Sequence, residues 1–277
     1  PPYFNAIFVP LMMLLVAFLG IGPMSRWKKT STEYLIQQVS RVFVASIILG
    51  LCLPLVILLE FSLAATICVS LAAWILLTIG KDVMNKLANK SSLRLGLSSL
   101  SSSYLGMVLA HTGISIMLIG VGLTTYFSLE RSILLGPDEQ VDLGSYAFVF
   151  NGHEKIRGPN YIGDRANITV LRNGSEIEVL YPERRIYLAT GTPSTEMAID
   201  AGLLRDLFVT LGEEKEGGSW SMTVYVKPFV RWIWLGAIFM AMGGTIAALD
   251  KRYRLLRRRE LEKSKDRGVA ADLAATS

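Results

Sequence analysis

The chain contains few of the residues that most enzymes use for polar chemistry. Of its 277 residues only 18% are charged, two are histidine and two are cysteine. Cys52 and Cys68 both fall in apolar stretches and form no CxxC pair. They are interpreted as small buried apolar residues, so they indicate neither a disulfide framework nor a particular redox compartment.

The common nucleotide-binding and hydrolytic motifs are also missing from the sequence. It has no Walker loop, no GxGxxG, no GxSxG and no HExxH. Its histidines and cysteines do not have the spacing of a zinc site. The acidic residues between positions 128 and 229 are scattered and do not pair into a recognisable acid/base site.

What the chain has in abundance is apolar sequence. Hydrophobic residues make up 51% of it and the mean hydropathy is +0.42, which is typical of a polytopic membrane protein. Since a span needs about 20 apolar residues, five spans are predicted, and the third is the most polar. They lie at about 6–24, 42–59, 62–79, 105–127 and 230–249.

Charge along the chain predicts one topology. The connections at 25–41 and 81–104 and the tail at 250–277 are basic, which places them in the cytoplasm. Residues 128–229 carry 15 acids against 10 bases and are expected on the opposite side. Pro1 would then start outside without a signal peptide, which suggests the C-terminal part of a longer or split protein. The net charge of +5 does not indicate a nucleic-acid partner. The basic stretch at 251–267 is interpreted as a solvated tail that lies near anionic lipid.

Residues 128–229 show the alternation of β-strands. Alternating runs occur at 146–150, 167–171, 176–181, 185–188 and 221–226, and Asn173-Gly174 is a strong hairpin signal. The mixed pattern at 195–211 is compatible with a short helix. The expected fold is therefore an α-helical polytopic membrane protein with an inserted, extracytoplasmic, small β-domain.

His111 is the most informative residue, since it lies in the fourth apolar run. An ionisable group at that depth is costly and asks for a functional reason. It could hydrogen-bond a neighbouring helix, relay protons, or bind a metal such as haem iron through one ring nitrogen. Ser115, four residues on, could bond the imidazole or the backbone. Nearby small residues form a stripe that either packs against another helix or leaves room for a flat macrocycle: Gly106, Ala110, Gly113 and Gly120.

Two features of the β-domain have mainly structural interpretations. His153, in Asn151-Gly-His-Glu-Lys, is expected to be an exposed loop histidine. The segment Arg157-Gly-Pro-Asn-Tyr161 predicts a tight turn with an aromatic anchor. Its alternative is a docking surface for a protein, or for a haem propionate near Arg157. Trp232 and Trp234 resemble an interfacial aromatic belt.

Taken together, several stretches in order along the chain resemble the C-terminal part of the CcmF/NrfE family, the haem-lyase membrane subunit of bacterial-type cytochrome c maturation. They are Pro2-Tyr-Phe-Asn5, Gly106-Met-Val-Leu-Ala-His-Thr-Gly113, Gly158-Pro-Asn-Tyr161, Thr195-Glu-Met-Ala-Ile-Asp200, Arg205-Asp-Leu-Phe-Val209 and Lys227-Pro-Phe-Val-Arg-Trp-Ile-Trp-Leu-Gly236.

The resemblance implies that His111 is one axial ligand of a membrane-embedded haem b, with the second ligand outside this chain. The resemblance also implies that the protein is located in the bacterial inner membrane, with residues 128–229 periplasmic and the C-terminus cytoplasmic. The implied partners are haem, the haem chaperone CcmE, a CcmH-type subunit that presents the apocytochrome, apocytochrome c itself, and the N-terminal part of the same protein. The implied reaction joins haem vinyl groups to the two cysteines of a CxxCH apocytochrome.

Several functional motifs of the family are not in this sequence. The tryptophan-rich, aspartate-ending outer loop and the outer histidine pair are missing, and His153 does not match that pair. The chain alone is therefore not expected to be a complete lyase, and no catalytic residue is assigned. Two other functions stay open: a transporter or channel subunit with His111 as proton relay, and a membrane scaffold without a cofactor.

Overall fold

A computed structural model describes residues 2–24, 32–58, 61–88, 90 and 92–250 of the chain. Some sequence predictions lie wholly or partly outside these residues. They are the basic tail after residue 250, positions 25–31 of the basic connection at 25–41, and residue 60 of the short turn at 60–61, which the predicted topology places opposite the basic connections. The described residues divide into a helical unit, up to Leu118 and from Trp234, and a β unit from Ile119 to Ile233.

Among the residues that the structure describes, five helices are long and apolar enough to cross a membrane. The described helices are α1 (Pro2–Leu19), α2 (Thr32–Leu58), α3 (Leu63–Leu87), the short α4 (Leu93–Ser98), α5 (Ser102–Phe127) and α6 (Val230–Ala248), and a 3-10 turn at Gly22–Met24 follows α1. The second helix begins about ten residues before the predicted 42, and the third continues eight residues past the predicted 79. Hydropathy misses these ends because they carry polar residues, whereas backbone hydrogen bonding continues through them.

The helical unit is held together around Trp74 on α3. Its indole N–H donates to the carbonyl oxygen of Ala17 at 2.9 Å, which satisfies one of the carbonyls left free at the end of α1. A methyl group on Gly20 would overlap the Trp74 ring, so glycine allows this close approach. Val16 and Ile75 pack in the same buried cluster, which fixes α1 against α3.

The β unit is a curled antiparallel sandwich of ten strands. They are β1 (Leu129–Leu135), β2 (Gln140–Leu143), β3 (Tyr146–Arg157), β4 (Tyr161–Arg172), β5 (Ser175–Leu180), β6 (Glu183–Tyr187), β7 (Pro193–Glu196), β8 (Ala198–Ala201), β9 (Arg205–Glu214) and β10 (Trp220–Pro228). One sheet has the order β1-β10-β9-β8. The other has the order β2-β3-β4-β6-β7, and β5 also pairs with β4.

The two sheets enclose an apolar core, and strands such as β3 and β10 alternate buried and more exposed side chains. On β3 the buried positions are Tyr146, Phe148 and Phe150, and on β10 the indole of Trp220 is 1% exposed. Alternate side chains of a strand point to opposite faces, so one face of each of these two strands supplies the core. The expected fold class, apolar helices with a small β-domain, is confirmed.

Two local predictions in the β unit have different outcomes. The Asn173-Gly174 hairpin is confirmed: both residues have positive φ, 53° and 78°, and Arg172 pairs with Ser175. The short helix suggested at 195–211 is wrong, because this segment forms β7, β8 and the first part of β9. Its irregular pattern arises where a buried strand follows two short half-exposed strands, and such a junction has no single period.

Candidate functional site

His111 lies in the middle of α5 with one ring nitrogen fixed. Its Nδ1 is 2.9 Å from the carbonyl oxygen of Met107, one turn earlier on the same helix. A carbonyl oxygen only accepts hydrogen bonds, so Nδ1 must carry the proton and donate it. In the neutral tautomer with this hydrogen bond, Nε2 is the nitrogen without a proton and the one that can bind a metal ion.

The neighbouring hydroxyl groups do not bond the imidazole. Ser115 Oγ donates to the carbonyl oxygen of His111 at 3.1 Å, and Thr112 donates to that of Val108 at 2.8 Å. Of the two options that the sequence leaves open for Ser115, the structure has the backbone bond. Among the described residues the imidazole therefore has one hydrogen-bond partner, and it lies within the same helix rather than on a neighbouring one.

An apolar cleft of about 430 Å³ adjoins His111, and the imidazole is its one titratable group. The cleft is lined by Leu15, Phe18 and Leu19 of α1, Gly22 and Pro23 of the 3-10 turn, and Met107 and His111 of α5. A volume of this order is typical of cofactor sites. Leu15 and Phe18 are 52% and 67% exposed, so the cleft is open on the α1 side.

The residues of the cleft fit a flat, largely apolar macrocycle. The lining supplies aliphatic and aromatic surface, and no atom lies within 4 Å of where a Cβ of Gly22 would be. A ring nitrogen with a fixed tautomer is the donor that haem iron takes from a histidine. Within the described segments no group of three or more His, Cys, Asp or Glu side chains could hold a metal ion, so His111 would act as a single protein ligand here.

The small-residue stripe of α5 lies on the opposite side of the helix from His111. A methyl group on Gly106 would lie 2.5 Å from the carbonyl oxygen of Gly243, and one on Gly113 would lie 2.6 Å from that of Gly236. The stripe is therefore covered by α6. Of the two uses that the sequence leaves open, close packing against another helix is the one observed, and no space for a macrocycle remains on this face. Gly236 and Gly243 are seven residues apart like their partners, so α6 carries in its sequence the same spacing that α5 shows.

Polar groups gather at the N-terminal end of α5. Asp82 accepts hydrogen bonds from Tyr104 Oη and Lys86 Nζ, both at 2.6 Å, and the Lys86 ammonium lies 3.7 Å from the centre of the Tyr104 ring. The backbone N–H of Ser103 donates to Asp250 Oδ2 at 2.8 Å. His111 lies nine residues into α5, about 14 Å along the axis at 1.5 Å per residue.

The second histidine is exposed as predicted, but it lies on a strand and not in a loop, which corrects that part of the prediction. His153 is on β3, just after a bulge at Asn151-Gly152, where Gly152 has a φ of 115°. Its ring centre lies 4.8 Å from that of Trp220, and its Nε2 is 3.9 Å from Asp164 Oδ1. The Asn-Gly pair resembles a turn in sequence, but here it supplies the extra residue of a bulge.

The segment at 157–161 forms the tight turn between β3 and β4. Gly158 N–H donates to the carbonyl oxygen of Tyr161 at 2.9 Å, and the Tyr161 ring lies directly against Gly158. The Arg185 guanidinium is 4.4 Å from the centre of the Tyr161 ring. The turn with its aromatic anchor is thus confirmed, and Arg157 itself is exposed.

An ion network beside this turn was not foreseen from the sequence. Glu183, 7% exposed, accepts from Arg165 Nε at 2.8 Å and from Arg185 Nε at 2.7 Å. Burial raises the pKa of Glu183, but the hydrogen bonds from the two arginines outweigh burial and hold the pKa below its usual range. The three residues lie on β4 and β6, and only strand pairing brings them together.

These features define a polytopic membrane protein that carries a β-sandwich and a histidine beside an apolar cleft. The profile of a family described as "CcmF C-terminal beta-sandwich" matches residues 126–228. The cytochrome c-type biogenesis protein CcmF of Pseudomonas aeruginosa is 44% identical over 255 residues, which cover 92% of this chain and 38% of that protein. The CcmF of Escherichia coli is 36% identical over 255 residues, and the NrfE of Haemophilus influenzae is 30% identical over 257 residues.

A solved structure titled "Cytochrome c Heme Lyase CcmF" has the same fold, with a TM-score of 0.74, 18% sequence identity, and coverage of 90% of this chain and 40% of that one. The chain belongs to the CcmF/NrfE family of cytochrome c-type biogenesis proteins and matches the C-terminal part of its members. It spans about two-fifths of the length of the curated relatives it matches.

Proposed function

We propose that this chain is a haem-handling part of the cytochrome c maturation system, with His111 as one axial ligand of a membrane haem b. The observation that carries the proposal is the free Nε2 of His111 at the edge of an apolar cleft. Its relatives are named cytochrome c-type biogenesis proteins, and one neighbour in fold is titled a haem lyase. The second axial ligand would come from outside this chain.

Several residues of the cleft would have defined roles in holding the haem. The Met107 carbonyl fixes the proton on Nδ1 and so orients the imidazole with Nε2 available. Leu15, Phe18 and Leu19 would contact the macrocycle and exclude water from it. A bound haem would supply reversible one-electron chemistry, tuned by its axial ligands and by the low polarity of its surroundings.

The wider reaction would join haem covalently to a CxxCH apocytochrome c. In that reaction the complete protein would receive haem from CcmE and the apocytochrome from a CcmH-type subunit, and this chain would work together with the N-terminal part of the protein. No residue of this chain is proposed as catalytic. Its contribution would be to position a cofactor and to set that cofactor's potential.

The proposed location is the bacterial inner membrane, with residues 128–229 periplasmic and the C-terminus cytoplasmic. The basic residues near the start of α5 support this orientation: Lys81, Lys86, Lys90 and Arg94. Lys81 Nζ donates to the carbonyl oxygen of Gln38, so this cation also ties α3 to α2 at that end.

A proton relay has less support than a haem ligand. The residues lining the cleft beside His111 carry no other titratable side chain to which a proton could pass. A relay needs a chain of such groups or ordered water, whereas an axial ligand needs only one free nitrogen. No separate observation favours a purely structural scaffold.

The test is a dithionite-reduced minus oxidised visible spectrum of the intact purified complex, wild type beside His111→Ala. His153→Ala is the matched control, because it removes the other histidine of the chain. We expect a b-type signal that is lost in His111→Ala, kept in His153→Ala, and accompanied by normal membrane insertion in both. Full haem content in His111→Ala would refute the ligand assignment.

A further inference from the structure

The turn between β8 and β9 carries two adjacent leucines in the open. Leu203 is 64% exposed and Leu204 is 59% exposed. Turns usually carry polar residues, because water surrounds them. Two consecutive exposed leucines at a turn therefore call for an apolar surface that covers them.

The turn is rigid, so it presents the leucines at a fixed place. The Gly202 N–H donates to the carbonyl oxygen of Arg205 at 2.9 Å and to Asp206 Oδ1 at 3.0 Å. The Arg205 guanidinium in turn pairs with Asp200 across the same hairpin. Such a turn loses little further conformational entropy when it binds.

The turn also contacts the residue that precedes a helix long and apolar enough to span a membrane. The N–H of Phe229 donates to the carbonyl oxygen of Leu204 at 3.0 Å. The next residue, Val230, begins α6, one of the five helices able to span a bilayer. Phe229 has a φ of 58°, and its ring lies edge-on to that of Trp232 with the centres 5.2 Å apart. Leu204 is thus one hydrogen bond from the first residues of a span.

The charges around the turn suit a lipid–water boundary. Arg231, in the first turn of α6, has a side chain that is 52% exposed and lies 3.9 Å from Asp206. Arginine at a span end extends its guanidinium to the headgroup layer while its stem stays in apolar surroundings. Aromatic rings such as that of Trp232 are enriched at the same depth.

We infer that the Leu203–Leu204 turn inserts into the interfacial region of the lipid bilayer and forms a second membrane contact of the β unit. The partner is lipid rather than protein, because the turn continues the surface of a membrane-spanning helix at the depth where that helix begins. The contact would limit tilting of the β unit relative to the bilayer. It depends on α6 crossing the membrane and not on haem binding by His111.

The experiment measures the depth of a nitroxide spin label at position 204 by electron paramagnetic resonance. The intact chain carries Leu204→Cys in a Cys52→Ser, Cys68→Ala background and is reconstituted into nanodiscs of phosphatidylcholine and phosphatidylglycerol at three to one. Two paramagnetic reagents relax the label on collision: molecular oxygen, which is concentrated in the bilayer, and a nickel chelate, which is concentrated in water. The ratio of their effects on the label therefore reports depth, and the purified chain contains no partner protein that could cover the turn.

Leu188→Cys provides the matched control. Leu188 is 56% exposed and lies at the other end of the sandwich, since its neighbour Tyr187 pairs with Tyr161 at the start of β4. The Arg205 guanidinium lies over the Tyr146 ring, which is level with Arg172 at the end of β4. The two ends of that strand are about 36 Å apart at 3.3 Å per residue.

We expect an oxygen-to-nickel ratio at position 204 several-fold above that at position 188. Equal ratios at the two positions would overturn the inference, because they would place the turn in water. Low access to both reagents at position 204 would also overturn it, since the turn would then be covered by protein. Leu203→Cys repeats the measurement independently, in case one label disturbs the turn. A spectrum that lacks haem would leave this result unaffected.

Discussion

Gly113 of α5 and Gly236 of α6 meet backbone to backbone. A methyl group on Gly113 would lie 2.6 Å from the carbonyl oxygen of Gly236, and one on Gly236 would lie 2.5 Å from that of Gly113. Neither carbonyl can move without breaking its own helix. This contact holds α5 in a fixed rotation about its own axis, with His111 about 160° around that axis from Gly113 at 100° per residue. The glycine pair thus supports the site without touching it.

We predict that Gly113→Ala destabilises the protein by about 1–3 kcal/mol, the usual cost of adding a methyl group to a filled contact. Gly244→Ala is the control, since no atom lies within 4 Å of its Cβ position on α6. Alanine favours a helix over glycine by up to about 1 kcal/mol, so the control should be neutral or stabilising. Thermal unfolding of both variants in detergent measures the difference. Equal melting temperatures would mean that the two helices are not in this contact.

The sequence was sufficient for the features that depend on local pattern. Hydropathy predicted the apolar helices, and alternation with Asn173-Gly174 predicted a β-domain with a hairpin, because both signals arise from neighbours along the chain. The glycines of α5 likewise indicated close helix packing. Their partners on α6 lie about 130 residues further on, and a seven-residue spacing alone does not say which helix it faces.

The cleft and the ion network could not be predicted from local sequence patterns. The cleft joins α1 to α5, and the network joins β4 to β6. Each depends on which elements lie side by side, and a single sequence carries little of that information. The prediction of a loop at His153 was wrong for a related reason. An Asn-Gly pair is favoured wherever the backbone needs positive φ, and both a hairpin turn and a bulge need it.

A second prediction concerns the Glu183 network. The pKa of Glu183 lies below its ordinary value of 4.5 in the folded protein. Its contribution to stability is therefore fully present above about pH 4.5 and is lost as the pH falls through the folded-state pKa. We expect Glu183→Gln to cost about 1–3 kcal/mol at pH 7, because two arginines lose a charged acceptor.

The measurement is the melting temperature of the full chain at pH 7 and at pH 3.5 for wild type and Glu183→Gln. The difference between the two proteins should shrink at the lower pH, because below about pH 4.5 the unfolded chain takes up a proton at Glu183 that the folded carboxylate resists. Glu154→Gln is the control, since its side chain is 65% exposed and lies 3.4 Å from Arg165. An ion pair this exposed contributes little to the free energy of unfolding. The same loss at both pH values for Glu183→Gln would show that its charge is not what stabilises the network.

A third prediction tests the cleft rather than its ligand. Gly22→Leu should lower the haem content of the intact complex, because a side chain at this position would occupy space in the cleft beside His111. The fold should survive, since no atom lies within 4 Å of the Cβ position. Gly80→Leu on α3 is the control, because its Cβ position is equally open and it does not line the cleft. Unchanged haem content in Gly22→Leu, measured by absorbance per protein, would place the group elsewhere.

The last prediction concerns the turn at Gly158–Tyr161, which we propose as a docking surface for a partner of the maturation complex. Gly158→Ala should reorganise this turn, because the added methyl group would overlap the Tyr161 ring. That ring also contacts Tyr187, at 6.1 Å between centres, and the Arg185 guanidinium, so the exposed surface around it changes with it. We expect reduced co-purification with the CcmH-type subunit and unchanged haem content. Gly174→Ala is the control: it strains a turn at the other end of β4, where φ is 78° and no atom lies within 4 Å. If both variants retain the partner equally, the Gly158–Tyr161 turn serves only to connect β3 and β4.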